Sequence, residues 1–231
     1  MAKNFATMQS GVGTFCMDST AAFAALSAIW LNDKYQDISR RKLWSELVNY
    51  TYTATAVAGT AEYTLPTDFD QELFVVNTTD GSKLMRFTEG DWFEERYPAY
   101  LAGAIASGTS MGYVIHESSG KIQFDPTPNA VKSFTIPYKK VISPLSGTMT
   151  AVIKDIETIM EYGATSDGFM YKKNFAKAND FLQKYEYELA KRIGQDNKKV
   201  NEQYQWIPER RNPSAIEPFT GWTSYDTISK L

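Results

Sequence analysis

Hydrophobic positions change period twice along the chain, and those changes divide it. Residues 1–17 are polar and contain glycine, a pattern that predicts an extended arm. Asp18, Ser19 and Thr20 then supply side-chain oxygens that can accept the free amide hydrogens of a helix start. Phe23, Leu26 and Trp30 follow at helical spacing and predict a helix over 19–34. A second helix is expected over 38–50, with Leu43, Trp44, Leu47 and Val48 on its apolar side. A short link around Asp37 would fold the two into an antiparallel hairpin.

Beyond Tyr50 apolar and polar residues alternate, the period of a strand with one buried face. Residues 51–57 and 61–65, separated by Ala58-Gly59-Thr60, read as a hairpin. So do 72–77 with 83–87 around Asp80-Gly81, and 113–117 with 121–125 around Ser119-Gly120. Residues 132–140 add a strand with Phe134, Ile136 and Tyr138 on one face. Pro137 has no amide hydrogen to give, which predicts an edge position for that strand. A short aromatic helix over 91–97 and a small-residue loop over 99–112 interrupt the series.

Helical spacing returns after Pro144. Val152, Ile153, Ile156, Ile159 and Met160 predict a helix over 150–163. Phe175, Ala178, Leu182, Tyr185, Leu189 and Ile193 predict a longer one over 168–193, with Asp180→Lys184 and Glu188→Arg192 in the favourable acid-before-base order on its outer face. From Val200 the periodicity ends. The order helices, strands, helices predicts an α+β fold: a helical bundle formed by N- and C-terminal helices, an inserted antiparallel β module and an extended C-terminal tail. The boundaries read as an arm over 1–18, bundle segments over 19–50 and 146–199, the β module over 51–145 and the tail over 200–231.

Composition narrows the function classes. Hydrophobic residues at 43% and charged residues at 22% are those of a globular chain, and aromatics at 14% exceed what the predicted core positions absorb. The formal net charge of −3 argues against a tight grip on nucleic acid, which calls for a basic footprint. The single cysteine, Cys16, excludes an internal disulfide and a multi-cysteine zinc site, in keeping with a reducing cytoplasm. The Ala-rich run over 21–31 is too short to span a membrane, and Asp18 before it and basic residues after it oppose an export signal.

Reactive chemistry finds little support. His116 is the sole histidine and lies in a predicted strand, where a structural role fits; Cys16 has no local nucleophile signature. Gly11-Val12-Gly13 follows no strand and lacks the Gly-Lys-Ser/Thr of a phosphate loop. Asp68, Asp70 and Glu72 lack the ligand order and central glycine of a calcium loop and fit turn capping. Glu94 and Glu95 are adjacent on a helix and do not face one another, and the basic pairs, such as Arg40-Arg41 and Lys139-Lys140, are scattered over several elements. No catalytic residue, metal ligand or cofactor site is assigned.

Three stretches carry a family resemblance. Residues 30–47, WLNDKYQDISRRKLWSEL, resemble the entry helix of tailed-bacteriophage head-to-tail adaptor proteins, also called head completion or connector proteins. Residues 59–69, GTAEYTLPTDF, are similar to a strand entry of many such adaptors. Gly112-Tyr113-Val114-Ile115, followed by Ile122-Gln123-Phe124-Asp125-Pro126-Thr127-Pro128, resembles their paired strands ending in a Pro-x-Pro turn. The resemblance runs in order over about residues 20–193. It implies a non-enzymatic virion protein at the head–tail junction, assembled in the host cytoplasm. It further implies a homo-oligomeric ring, usually dodecameric, beneath the portal protein, with copies joined through two different patches. Such a ring extends the channel through which genomic DNA passes without specific binding and offers a dock to a stopper or tail protein; no membrane is involved.

The tail is the expected partner interface. Linkers are normally poor in aromatics, whereas this segment combines Trp206, Pro208, Arg210, Arg211, Phe219, Trp222 and Tyr225. Trp, Tyr and Arg dominate interface hot spots, so the tail is expected to order on the portal or on an adjacent copy, the alternative being that it packs back on its own β module. The alternatives are another neck component, such as a stopper or tail-completion protein, and a small ligand-binding module or enzyme built on the β region. Carboxylates converging on a pocket at His116 would mark the last of these.

Overall fold

The computed structural model describes residues 3–95 and 107–205. It shows an α+β chain of two compact units, Met1–Ile193 and Gly194–Leu231. The helices are α1 (Phe5–Cys16), α2 (Ala21–Arg41), α3 (Glu89–Glu95), α4 (Glu157–Tyr171) and α5 (Phe175–Gln205). Helices and strands form separate hydrophobic cores within the first unit.

The N-terminal segment is a helix, not the extended arm its glycines suggested. Asn4 caps it by accepting the Thr7 amide at 2.9 Å, and Phe5, Met8, Val12 and Cys16 bury one face at intervals of 3 and 4 residues. Gly11 serves close packing: a Cβ there would stand 2.8 Å from Glu161 Oε1. Glu161 is buried and pairs with Lys3 Nζ at 2.5 Å, so the start of the chain neutralises a carboxylate on α4.

The expected hairpin of helices over 19–34 and 38–50 is one continuous helix, α2, ending at Arg41. Nothing between Ala21 and Arg41 is glycine or proline, and Asp37, taken as the link, is held inside the helix by Arg41 at 3.0 Å and by Tyr185 Oη at 2.6 Å. After α2 the chain extends, and Trp44 turns back into the core, donating from Nε1 to Ile38 O at 2.7 Å. A short 3-10 turn, Ser45–Leu47, follows where the second helix was expected.

The β region, expected to be antiparallel, is mixed. Its strands are β1 (Val48–Asn49), β2 (Thr53–Ala56), β3 (Glu62–Thr64), β4 (Phe69–Glu72), β5 (Val76–Asn77), β6 (Ser82–Lys83), β7 (Met85–Arg86), β8 (Ser107–Gly108), β9 (Gly112–His116), β10 (Lys121–Asp125), β11 (Thr127–Pro128), β12 (Lys132–Thr135) and β13 (Tyr138–Lys140). They order as β1-β13-β4, β3-β10-β9-β7, β11-β8 and β2-β12-β5-β6, and the pairs β7–β9 and β8–β11 are parallel. The hairpins at Asp80-Gly81 and Ser119-Gly120 form, with positive φ at Gly81 and Gly120. The pair expected over 51–57 and 61–65 does not: β2 pairs with β12 and β3 with β10. Pro137 marks a break rather than an edge. It separates β12 from β13, each flanked by two strands, and its carbonyl accepts the Leu73 amide at 2.8 Å. The rings of Phe124 and Phe134 stack 4.0 Å apart and join the two larger sheets.

The helix expected over 150–163 begins later, at Glu157, because Asp155 takes a left-handed backbone (φ 59°) that a helix start cannot include. Ile153 and Ile156 nonetheless fill the helical core from the preceding loop. Lys173, also left-handed at φ 57°, separates α4 from α5. Helix α5 continues past Val200, where the tail was expected to begin.

Candidate functional site

His116, Cys16 and the carboxylates of Asp68, Asp70 and Glu72 are each engaged by their own fold. His116 Nδ1 lies 3.1 Å from Glu89 Oε1 and its Nε2 2.9 Å from Gln123 Oε1, while Trp92 packs edge-on at 5.3 Å. The histidine thereby ties α3 to β9 and β10. Cys16 is buried in the helical core, and desolvation pushes its thiol up to about 11, a neutral form that makes a poor nucleophile. Asp68 accepts from Tyr138 Oη at 2.7 Å, Asp70 meets Lys139 at 2.9 Å, and Glu72 meets Arg86 at 2.8 Å. Those carboxylates serve three different partners and converge on no common point. Among the described residues no cluster of histidine, cysteine and carboxylates has the arrangement to hold a metal ion.

The surface offers more. Helical spacing assigns Phe175 and Leu182 to the buried stripe of α5, yet they are 63% and 42% exposed, whereas Ala178, Tyr185 and Leu189 are buried. Helix α5 therefore turns only part of its apolar face to the core. Beside it the end of α4 exposes Met170 (52%) and Tyr171 (61%). A ring network lies in the adjacent helices. Phe15, Tyr162, Phe169 and Phe181 lie with ring centroids 5.6–6.5 Å apart, and Tyr171 meets Trp30 at 5.9 Å. Lysines rim it, with Lys184 Nζ 4.7 Å from the Phe181 ring and Lys177 Nζ 5.3 Å from Phe169. Exposed apolar side chains at the end of α4 and along α5 have the makeup of a protein contact.

Two depressions lie elsewhere on the first unit. A groove of about 540 Å³ runs between α1 and α2, but its polar side chains serve the helices beside it: Gln9 donates to Ala24 O at 2.6 Å, and Thr14 to Ser10 O at 2.9 Å. A smaller cleft of about 190 Å³ lies between the second half of α2 and strands β4 and β13, with Arg40, Lys139 and Lys140 in its wall. Sequence reasoning named both basic pairs without seeing that the fold brings them together.

The tail residues proposed as a partner interface, Trp206, Pro208, Arg210, Arg211, Phe219, Trp222 and Tyr225, lie outside the described residues. A family model described as SU10 adaptor protein matches residues 3–210, which takes in Trp206, Pro208 and Arg210 and stops short of the other four. No curated protein matches the chain.

Proposed function

We propose that this chain, which belongs to the SU10 adaptor protein family, is a structural ring adaptor. It sits between the capsid portal and the tail or stopper of a tailed phage and extends the DNA channel. Membership agrees with the head-to-tail adaptor resemblance carried by residues 30–47, 59–69 and 112–128. The observation that supports the reading is the exposure of Met170, Tyr171, Phe175 and Leu182, apolar area left over after the helical core is filled. An adaptor works through such area, and catalysis does not require it. The net charge of −3 suits a channel wall past which phosphate slides. In this reading the segment after α5 orders on the portal or on an adjacent copy, with Trp206, Phe219 and Trp222 as anchors.

The test is portal binding by the full chain and by a chain ending at Gln205, with folding of both checked by circular dichroism. Binding by the full chain and its loss in the shortened one is expected. Equal binding by the two would remove the tail from the mechanism. Failure of the full chain to bind portal would point instead to a stopper or tail-completion protein.

A further inference from the structure

The cleft between α2 and strands β4 and β13 is positively charged in a chain whose net charge is −3. Its wall carries Arg40, Lys139 and Lys140 against one carboxylate, Asp70. Lys139 is paired with Asp70 at 2.9 Å. Among the described residues Arg40 reaches only Gln36 Oε1, at 3.5 Å, and Lys140 has no ion pair. Elsewhere Lys121, Lys132 and Lys172 each hold a carboxylate, that of Glu62, Asp80 and Asp18 in turn. The same wall presents Val141, 51% exposed, and half-buried Ile142. The cleft therefore suits a ligand that brings one carboxylate together with one apolar side chain.

Size narrows the ligand further. The cavity volume is about 190 Å³. One helical turn, about 10 Å across and 5.4 Å high, fills roughly 400 Å³, so the cleft takes side chains of an extended segment and not a helix. The chain's own sequence offers a match beyond the described residues. Over residues 212–229 the only charged side chains are Glu217 and Asp226, both acidic, in the company of Ile216, Phe219, Trp222 and Tyr225. Glu217 and Phe219 stand two positions apart, and in an extended backbone such residues face the same way, about 7 Å from each other. Twelve positions separate Glu217 from Gln205, the last described residue, a stretch that reaches about 40 Å when extended.

We propose that residues 216–219 of one copy dock in this cleft of the next, with Glu217 between Arg40 and Lys140 and Phe219 against Val141 and Ile142. This docking, which rests on the ring reading, gives the surface of the adjacent copy on which the tail orders. Each copy then offers one cleft and one tail, the two different and complementary patches that a closed ring requires. Opposite charges speed the encounter and fix its register, and their attraction weakens as salt rises.

The experiment puts a photo-activated benzophenone side chain in place of Phe219 in the full chain and assembles it with portal protein from a mixture of ordinary and heavy-isotope-labelled copies. Cross-links are expected at residues 36–47 and 139–142, and between labelled and unlabelled copies. Arg40→Glu/Lys140→Glu is expected to reduce them on the order of 10-fold or more, with circular dichroism unchanged. Glu217→Arg, which alters no described residue, should do the same, and the two sets of changes together should restore the cross-links. Cross-links that fall on portal, within one copy or nowhere would overturn the docking. So would cross-links that survive either charge reversal, or that stay absent in the combination. In each of those cases a ring of wild-type mass leaves the ring reading intact. A wild-type chain that forms no ring with portal would overturn that underlying reading instead.

Discussion

The guanidinium of Arg192 lies 5.3 Å from the centre of the Trp44 ring, and the same guanidinium meets Glu46 Oε1 at 2.8 Å. That arrangement fastens α5 to the segment following α2, where the chain leaves the helices for the strands. Arg192 also donates from Nε to Lys154 O at 3.0 Å, so one side chain gathers three separate stretches. Its side chain is almost fully buried, and removing it strands Glu46 in a poorly solvated place. Arg192→Ala is expected to cost about 3 kcal/mol, the range for breaking a buried ion pair from one side. Trp44→Ala should cost about 3–5 kcal/mol. Urea unfolding midpoints check both.

Gly168 supports α4 against α1 and α2. A Cβ there would stand 2.7 Å from Cys16 Sγ and 3.1 Å from the Phe23 ring. In an exposed helix, replacing glycine with alanine gains up to about 1 kcal/mol. Here the sign reverses, and Gly168→Ala should destabilise by about 1–3 kcal/mol through overpacking. A rise in thermal midpoint would show that α1 yields freely.

Cys16 reports on the same contact. Burial keeps its thiol neutral, so a chromogenic disulfide reagent at pH 8 should label the native protein far more slowly than the unfolded one. Gly168→Ala should speed labelling. Fast native labelling would mean that α1 is not docked as described.

Acid sensitivity should trace to Asp37. Burial would raise its carboxyl, but hydrogen bonds from Arg41 and Tyr185 outweigh that and hold it below its ordinary value. The folded state therefore binds the proton less tightly than the unfolded chain. Its stabilising contribution is complete above the unfolded value of about 3.9 and is lost as pH falls through the folded value. Between pH 6 and pH 2, Asp37→Asn should lose stability less steeply than wild type, as read from urea midpoints.

What could be read from the sequence was local. The hairpin turns at Asp80-Gly81 and Ser119-Gly120 were evident because a tight turn is decided by adjacent residues. The pairing of Thr53–Ala56 with Lys132–Thr135 was not, because a strand's distant partner is chosen by how the sheets stack. Helix α1 escaped notice because Gly11 and Gly13 read as flexible. The better signals were Asn4 and the Phe5, Met8, Val12, Cys16 spacing. The candidate surface was visible in amount but not in place. The aromatic excess was countable, yet Phe175 and Leu182 keep helical spacing with buried neighbours, and only the packing of α5 shows that they face outward. The basic cleft was hidden for the same reason, since Arg40 and Lys140 are 100 positions apart.

The exposed patch can be tested without disturbing the fold. Met170→Ser/Phe175→Ser removes two large exposed side chains, and surface changes of this kind shift stability by only about 0.5 kcal/mol. The variant should unfold near the wild-type midpoint, be more soluble, and fail to join particles in an infection supplied with the variant in place of the wild type. Normal particles would show that the patch is idle.

The most direct measurement is a cryo-electron microscopy reconstruction of the capsid–tail junction of the mature particle. A ring of copies of this chain against the portal is expected, with Tyr171 and Phe175 covered by a neighbouring protein. A neck that lacks this polypeptide, or a ring in which that patch faces open solvent, would contradict the claim that the apolar groups left over from folding are there for assembly.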